Sequence, residues 1–254
     1  MRGKWLGLAV GLVGGVCAAW AEVPLRDDAQ GTLFGTDRFA VRIDARNGWI
    51  AEVLCDGQPV VTAPATAQAY DIRQDGAWVT GSGQAIERLG VERVSPDTIR
   101  CRTRAGMWTV DALLQLDPER RSVRRWFDVT WHGASTTKIK SFWIRGGVLP
   151  LAEGGRYLLP AQYPPRSVAA AELTADRRTG SWRSPYVVIG ENGRGWSVIW
   201  ALDELQPYAD RGSTGVEEGC GEIRITQSFN MQGHVRNGVT QRVGDSWLWV
   251  QPND

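Results

Sequence analysis

Hydrophobic and polar residues alternate along most of the chain in short runs, and Gly, Asn and Asp separate these runs. In the stretch RFAVRIDARNGWIAEVLCDGQPVV, Phe39, Val41 and Ile43 share one side of an extended chain, and mostly polar residues share the other. Asn-Gly at 47–48 and Asp-Gly at 56–57 supply the positive φ angles that tight hairpin turns need. The stretch therefore predicts antiparallel strands joined by tight turns.

Roughly a dozen strands of this kind are predicted, and no segment has a long helical period. Eleven of the 13 tryptophans lie beyond residue 21, which favours a thick aromatic core. Strands at this spacing build two large antiparallel sheets that pack face to face. We therefore predict an all-β fold, a large two-sheet antiparallel β-sandwich. The tryptophans that fall inside alternating strands are expected in its core: Trp126, Trp196, Trp200, Trp247 and Trp249.

The first 21 residues predict a signal peptide. Arg2 and Lys4 precede the apolar run WLGLAVGLVGGV, and Ala-Trp-Ala at 19–21 places small residues where a signal peptidase reads them. The run is short for a membrane span, so a retained anchor is the less favoured alternative. We expect a lead-in arm over 22–36, a single β-sandwich domain over 37–254, and export to the periplasm or the extracellular space. No membrane association is expected once the signal is removed.

The charge of the chain excludes some classes of partner. Lys and Arg number 29 and Asp and Glu 28, for a formal net charge of +1 at pH 7. A nearly neutral chain has no electrostatic reason to bind nucleic acid or an anionic membrane. The only lysines are Lys4, Lys138 and Lys140, so nearly all cations are arginines. We interpret this as compositional bias, with the alternative that arginines surround a polyhydroxylated or carboxylated ligand.

Cysteines remain at Cys55, Cys101 and Cys220 once the signal is removed. No two of them are close in sequence, so no zinc or redox motif is present. In an oxidising compartment two could pair, and buried free thiols are equally consistent with the sequence. No metal or cofactor is predicted.

Motifs for catalysis are absent from the sequence. His132 and His234 are the only histidines, and neither belongs to a metalloprotease or hydrolase motif. Glycoside hydrolysis requires two carboxylates at a defined separation, which a sequence cannot establish for a sheet protein. We favour solvated carboxylates at strand edges and predict no catalytic residue. The carboxylates considered are Asp128, Glu172, Asp203 and Glu204.

Aromatic residues in Pro- and Gly-rich connections are the positive functional signal. Flat indole and phenol rings stack on the apolar faces of sugars, and neighbouring prolines would hold Tyr157 and Tyr163 in place. Packing in the core or against another domain is the alternative for these rings. The predicted ligand or interface residues are Trp143, Tyr157, Tyr163, Trp182 and Tyr186, together with Asp203.

The stretch SPYVVIGENGRGWSVIWALDE resembles a module of carbohydrate-active enzymes. A Pro-aromatic strand, a glycine turn, a second strand and an Asp follow one another, at Pro185, Tyr186, Gly195, Trp196 and Asp203. The module is the N-terminal β-supersandwich, of the galactose mutarotase-like type, of secreted TIM-barrel glycoside hydrolases. The resemblance implies a large β-sandwich that packs beside a catalytic barrel, which usually supplies the catalytic carboxylates.

Three functional hypotheses follow. The first is an exported, carbohydrate-associated β-sandwich module that is non-catalytic by itself and either binds glycan or packs on a catalytic barrel domain. The second is a polysaccharide-active enzyme (hydrolase, lyase or epimerase) with its site on the concave face of the sandwich. The third is a structural protein of the cell envelope with no sugar ligand.

Overall fold

The computed structural model describes residues 22–63, 70–79, 85–150, 155–159, 166–169, 186–191, 195–202, 212–219 and 222–253. The predicted signal peptide over 1–21 lies outside these residues. Within them, no helix has the length and apolar character needed to cross a membrane.

The described residues form nineteen β-strands, and every strand pairing is antiparallel. In chain order the strands are β1 (Leu25–Asp28), β2 (Gly31–Gly35), β3 (Phe39–Asp44), β4 (Ile50–Cys55), β5 (Gln58–Thr62), β6 (Tyr70–Gln74), β7 (Ala77–Trp78), β8 (Glu87–Ser95), β9 (Thr98–Ala105), β10 (Trp108–Asp117), β11 (Ser122–Trp131), β12 (Thr137–Pro150), β13 (Arg156–Leu159), β14 (Arg166–Ala169), β15 (Tyr186–Glu191), β16 (Trp196–Leu202), β17 (Gly212–Gly219), β18 (Glu222–Val235) and β19 (Thr240–Pro252).

The strands form two sheets. The ten-stranded sheet has the order β1-β2-β3-β4-β5-β12-β18-β17, and β6 also pairs with β12 and with β7. The nine-stranded sheet has the order β14-β13-β15-β16-β19-β11-β10-β9-β8. The sheets pack face to face, so the predicted all-β, two-sheet antiparallel sandwich is confirmed.

The first hairpins form where the sequence predicts them. In the turn between β3 and β4, Asp44 Oδ1 accepts hydrogen bonds from the backbone N–H groups of Arg46 and Asn47, at 2.6 and 3.3 Å. Gly48 then adopts φ +66° before β4 begins. Residues 22–36, expected as a lead-in arm, contain β1 and β2, which pair with each other and extend the ten-stranded sheet beyond β3.

Aromatic rings from both sheets meet in the core. Trp49 lies 5.4 Å from Phe127 in a stacked arrangement, and Phe142 lies 5.3 Å from Phe127. Tyr70 is fully buried, and its hydroxyl lies 3.0 Å from Thr103 Oγ1, so its polar end is satisfied across the two sheets. This contact joins β6 of one sheet to β9 of the other.

Two buried thiols and one buried guanidinium also lie within this core. Cys55 and Cys101 are free thiols, and burial raises their pKa values to about 11 and about 12. Cys220 lies outside the described residues. The Arg125 guanidinium lies 5.2 Å from the Trp200 ring centre, and burial lowers its pKa to about 9. Burial removes the water that stabilises the charge of Arg125. Attraction to the faces of the neighbouring aromatic rings replaces part of that stabilisation.

Candidate functional site

The outer face of the nine-stranded sheet carries a continuous stack of tryptophan and arginine side chains on β11 and β19. Trp247 and Trp249 lie two residues apart on β19, with ring centres 5.4 Å apart and planes 6° apart. The Arg124 guanidinium lies 5.3 Å from the Trp247 ring centre and 5.5 Å from that of Trp126. Arg242 lies 5.0 Å from the Trp126 ring centre. We call these five residues the Trp–Arg ladder.

The cations of the ladder are paired with carboxylates on the same face. Arg124 Nε donates to Asp245 Oδ1 at 2.8 Å, and Nη2 donates to Oδ2, so the planar guanidinium is held at two points. Arg242 Nε lies 3.7 Å from Asp128 Oδ1. The bidentate pair holds the Arg124 guanidinium in one orientation against the indoles.

A β-bulge aligns the two strands of the ladder. Pairing between β11 and β19 shifts between Arg125 and Phe127, so Gly244 and Asp245 together oppose Trp126. Gly244 adopts φ +68°, and a Cβ there would lie 2.8 Å from Phe229. The extra residue brings Asp245 onto the outer face, where it reaches Arg124.

An open groove of about 600 Å³ adjoins the ladder on the same face, at the end formed by β9, β10 and β11. Leu89 and the exposed Met107 contribute apolar surface to its lining. Its other lining residues are Arg102, Arg104, Gly106, Thr109, Asp111, Thr130 and His132.

The polar groups of the groove are paired with one another. Arg102 donates to both oxygens of Asp111 at 2.8 and 2.9 Å, and this hydrogen bonding raises the pKa of Arg102. Thr109 Oγ1 lies 2.9 Å from His132 Nε2. The arrangement presents hydroxyl, imidazole and guanidinium groups to a ligand, and its carboxylate is already bound to an arginine. Such a set suits recognition of hydroxyl groups better than proton transfer.

Metal binding finds no support in the part of the chain that the structure describes. Within it, no group of three His, Cys, Asp or Glu side chains is close enough to hold a metal ion. Of the carboxylates considered for glycoside hydrolysis, only Asp128 is described, and its neighbour is Arg242. Glu172, Asp203 and Glu204 lie outside the described residues.

The structure separates the aromatic residues that the sequence predicts as ligand or interface residues. Trp143 is 46% exposed on the outer face of the ten-stranded sheet. Tyr157 and Tyr186 lie in β13 and β15, which pair in the nine-stranded sheet. Tyr163, Trp182 and Asp203 lie outside the described residues. Trp143 is therefore on the opposite side of the sandwich from the ladder and the groove.

The sequence predicts five tryptophans in the core, and this prediction is wrong for the three that belong to the ladder. Trp200 is buried and Trp196 packs against the core, as predicted. Trp126, Trp247 and Trp249 are half-buried on the outer face; on β19, Leu248 and Val250 occupy the inward positions. In the segment WLWV, tryptophan alternates with leucine and valine, so both sides of the strand are apolar. This alternation is the feature of the sequence that could have indicated tryptophans on the outer face.

Comparison of the sequence with known proteins identifies no relative. No protein-family model matches the chain, and no curated protein matches it at a significant level.

Comparison of the structure with solved structures finds many chains of similar fold. The galactosidase domain of the α-galactosidase–sucrose kinase AgaSK matches 90% of this chain with a TM-score of 0.60 at 11% identity. The α-N-acetylgalactosaminidase NagBb of Bifidobacterium bifidum matches 87% with a TM-score of 0.62 at 10% identity. A candidate aldose 1-epimerase of Escherichia coli K12 matches 85% with a TM-score of 0.55 at 12% identity.

These matches define the fold class. The fold is the galactose mutarotase-like β-sandwich that occurs in glycoside hydrolases and in mutarotase-like epimerases, as the sequence resemblance predicts. The chain spans 42% of the AgaSK structure and 36% of the NagBb structure, but it spans 97% of the epimerase structure. At these identities the likeness establishes the fold and not the activity.

Proposed function

We propose that this chain is an exported, carbohydrate-associated β-sandwich module that is non-catalytic by itself and that binds glycan or packs on a catalytic domain. The Trp–Arg ladder is the observation that carries the proposal. It forms a rigid, half-buried aromatic surface on the outer side of a sandwich whose fold also occurs in α-galactosidases.

The charges of the ladder suit a surface that another domain covers. Covering an unpaired charge is unfavourable, whereas Arg124 and Arg242 each have a carboxylate beside them on the same face. The adjoining β16 adds Ile199, which is 38% exposed and pairs in register with Trp249. Aromatic residues and arginine are the residue types enriched at protein interfaces.

Carbohydrate binding and catalysis are tested with residues 22–254. A glycan array tests binding, and release of reducing sugar from a panel of polysaccharides tests catalysis. The proposal expects binding to a glycan, or stable association with a catalytic domain encoded beside this chain, and no sugar release. Absence of both binding and association would contradict it and would favour a structural protein of the cell envelope. Sugar release that is lost in Asp203→Asn but kept in Glu119→Gln would contradict the non-catalytic role.

The second candidate function is a polysaccharide-active enzyme with its site in the groove. The specific observation in its favour is that His132 and Thr109 lie within hydrogen-bonding distance in an open groove that also contains Asp111. Reducing-sugar release and the optical rotation of fresh aldose solutions measure the hydrolase and epimerase activities. Activity that is lost in His132→Ala and kept in Glu119→Gln, at a carboxylate that is 84% exposed, would establish this function in place of the first.

A further inference from the structure

The outer face of the ten-stranded sheet has an exposed tryptophan at its centre. Trp143 lies in β12 between Phe142 and Ile144, whose side chains are buried in the core. Trp143 has 46% of its surface accessible. Because β12 pairs with β6 on one side and β18 on the other, this indole projects from the middle of a sheet and not from a loop.

Neighbouring side chains hold this indole in place. Trp78 in β7 lies 5.0 Å away with an interplanar angle of 67°, an edge-to-face contact. Such a contact covers at most one face of the Trp143 ring. Arg73 in β6 lies 5.7 Å from the Trp78 ring centre and supports it from the other strand. The site therefore presents an ordered indole that can stack on a ligand with little further loss of conformational entropy.

Cations lie on the same face as Trp143, along β12 and β6. Lys138 and Lys140 project outward from β12 on either side of the buried Ile139. They are the only lysines beyond Lys4 in the whole chain. Neither they nor Arg73 forms an ion pair within the part of the chain that the structure describes. The arginines of the ladder differ, because each of them has a carboxylate neighbour.

Two carboxylates lie beside this positive charge, and each accepts a hydrogen bond from another group. Asp75 accepts hydrogen bonds from Thr137 Oγ1 at 2.8 Å and from the backbone N–H of Lys138 at 3.0 Å. Asp71 opposes Trp143 in β6 and accepts the backbone N–H of Ile72. On the other side, His234 of β18 opposes Lys138.

We propose that Arg73, Trp78, Lys138, Lys140 and Trp143, which we call the β12 surface, bind an anionic glycan, a sugar chain that carries carboxylate or sulfate groups. The proposal rests on the carbohydrate association proposed above and adds the site and the charge of the ligand. A strand rises about 3.3 Å per residue, so Lys140 and Lys138 lie about 10 and 17 Å from Trp143 along β12. A short sugar chain lying along β12 would stack one ring on Trp143 and pair its anionic groups with the lysines.

The test titrates residues 22–254 with polygalacturonate, with its methyl ester and with dextran sulfate, and follows tryptophan fluorescence and the heat of binding. The ester keeps the sugar backbone and removes the charge, while dextran sulfate distinguishes sulfate from carboxylate as the anionic group. We expect at least one anionic polymer to bind, with an affinity that falls as the salt concentration rises. The methyl ester should bind at least roughly tenfold more weakly than polygalacturonate.

Variants locate the site. Trp143→Ala and the double variant Lys138→Gln, Lys140→Gln are each expected to weaken binding by roughly tenfold. Arg104→Gln tests the groove on the opposite face, which Arg104 lines. Arg46→Gln is the matched control, because the Arg46 guanidinium is 91% exposed and lies outside the β12 surface and the residues that line the groove. Circular dichroism and the thermal midpoint confirm that each variant is folded.

Four results overturn the proposal, the last of them together with the glycan-binding role of the module. The first is equal binding of the ester and the acid. The second is unchanged binding in Trp143→Ala, which would show that the glycan binds through general charge attraction alone. The third is binding that Arg104→Gln weakens and the β12 variants do not, which would move the glycan to the groove and leave the proposed function intact. Failure of every glycan to bind would remove the glycan-binding role of the module together with this site.

Discussion

Arg124 and Asp245 face each other across β11 and β19, with Arg124 Nε 2.8 Å from Asp245 Oδ1, and the guanidinium lies against Trp126 and Trp247. Asp245 is the more buried partner, with 9% of its side chain exposed against 33% for Arg124. The pair therefore fixes the Arg124 guanidinium against the indole rings of Trp126 and Trp247. The arrangement of the ladder requires both Arg124 and Asp245.

Asp245→Asn tests this dependence. The substitution leaves a guanidinium facing one neutral oxygen, so the free energy of unfolding should fall by about 1–3 kcal/mol. Urea denaturation measures the change. Glu119→Gln is the matched control, because Glu119 pairs with Arg38 with 84% of its side chain exposed, and its effect should stay within about 0.5 kcal/mol. Equal effects of the two substitutions would contradict a structural role for the pair.

Arg124→Lys keeps the positive charge and removes the planar fork. An ammonium cannot bond both Asp245 oxygens in the same plane while lying flat on two indoles, so we expect a loss of about 1–2 kcal/mol. In the double variant with Asp245→Asn, the loss of unfolding free energy should be smaller than the sum of the two single losses, because both substitutions disrupt one interaction. Arg46→Lys, at a guanidinium that is 91% exposed, should have no measurable effect. Strict additivity would show that the two residues act independently.

Gly244→Ala tests the bulge. A Cβ at this position would meet Phe229 at 2.8 Å, and the residue has φ +68°. Gly238 has φ +75°, and a Cβ added there would meet nothing within 4 Å, so Gly238→Ala isolates the backbone strain, about 1 kcal/mol. The clash should add about 1–3 kcal/mol in Gly244→Ala. Similar losses in the two variants, measured by urea denaturation, would mean that Phe229 moves aside freely.

The Cys101 thiol predicts a pH dependence of stability. Burial raises its pKa to about 12 from an ordinary 9.0, so above pH 9 the unfolded chain releases a proton that the folded chain keeps. This contribution to the free energy of unfolding is complete below pH 9 and is lost toward pH 12, by about 1.4 kcal/mol per pH unit. The difference in the free energy of unfolding between the wild type and Cys101→Ala should therefore decrease by about 1.4 kcal/mol per pH unit above pH 9.

Urea denaturation between pH 8 and about 11 measures this difference. Val110→Ala is the control, because Val110 is fully buried in the same core and has no proton to release. Its stability difference from the wild type should stay constant over the same range. A constant difference for Cys101→Ala as well would show that the thiol ionises in the folded protein near its ordinary pKa.

Much of the fold can be predicted from the sequence because its signals are local. Asn47-Gly48 and Asp56-Gly57 mark the turns of the first hairpins, and the alternation of Phe39, Val41 and Ile43 gives the inward side of β3. Such signals depend on the conformational preferences of a few neighbouring residues. Long-range pairing has no comparable signal, and the position of β6 between β12 and β7 follows only from the structure.

The sequence alone determined that this protein is an antiparallel β-sandwich, since the period of two and the turn residues act within a few positions. Only the tertiary structure decided which face each tryptophan occupies. In WLWV both sides of the strand are apolar, so the pattern does not distinguish inside from outside. Likewise Arg124 and Arg125 are adjacent and identical in type, yet one joins the ladder and the other is buried beside Trp200. Strand register, with the bulge at Gly244, makes that choice, because a shift of one residue exchanges the two faces.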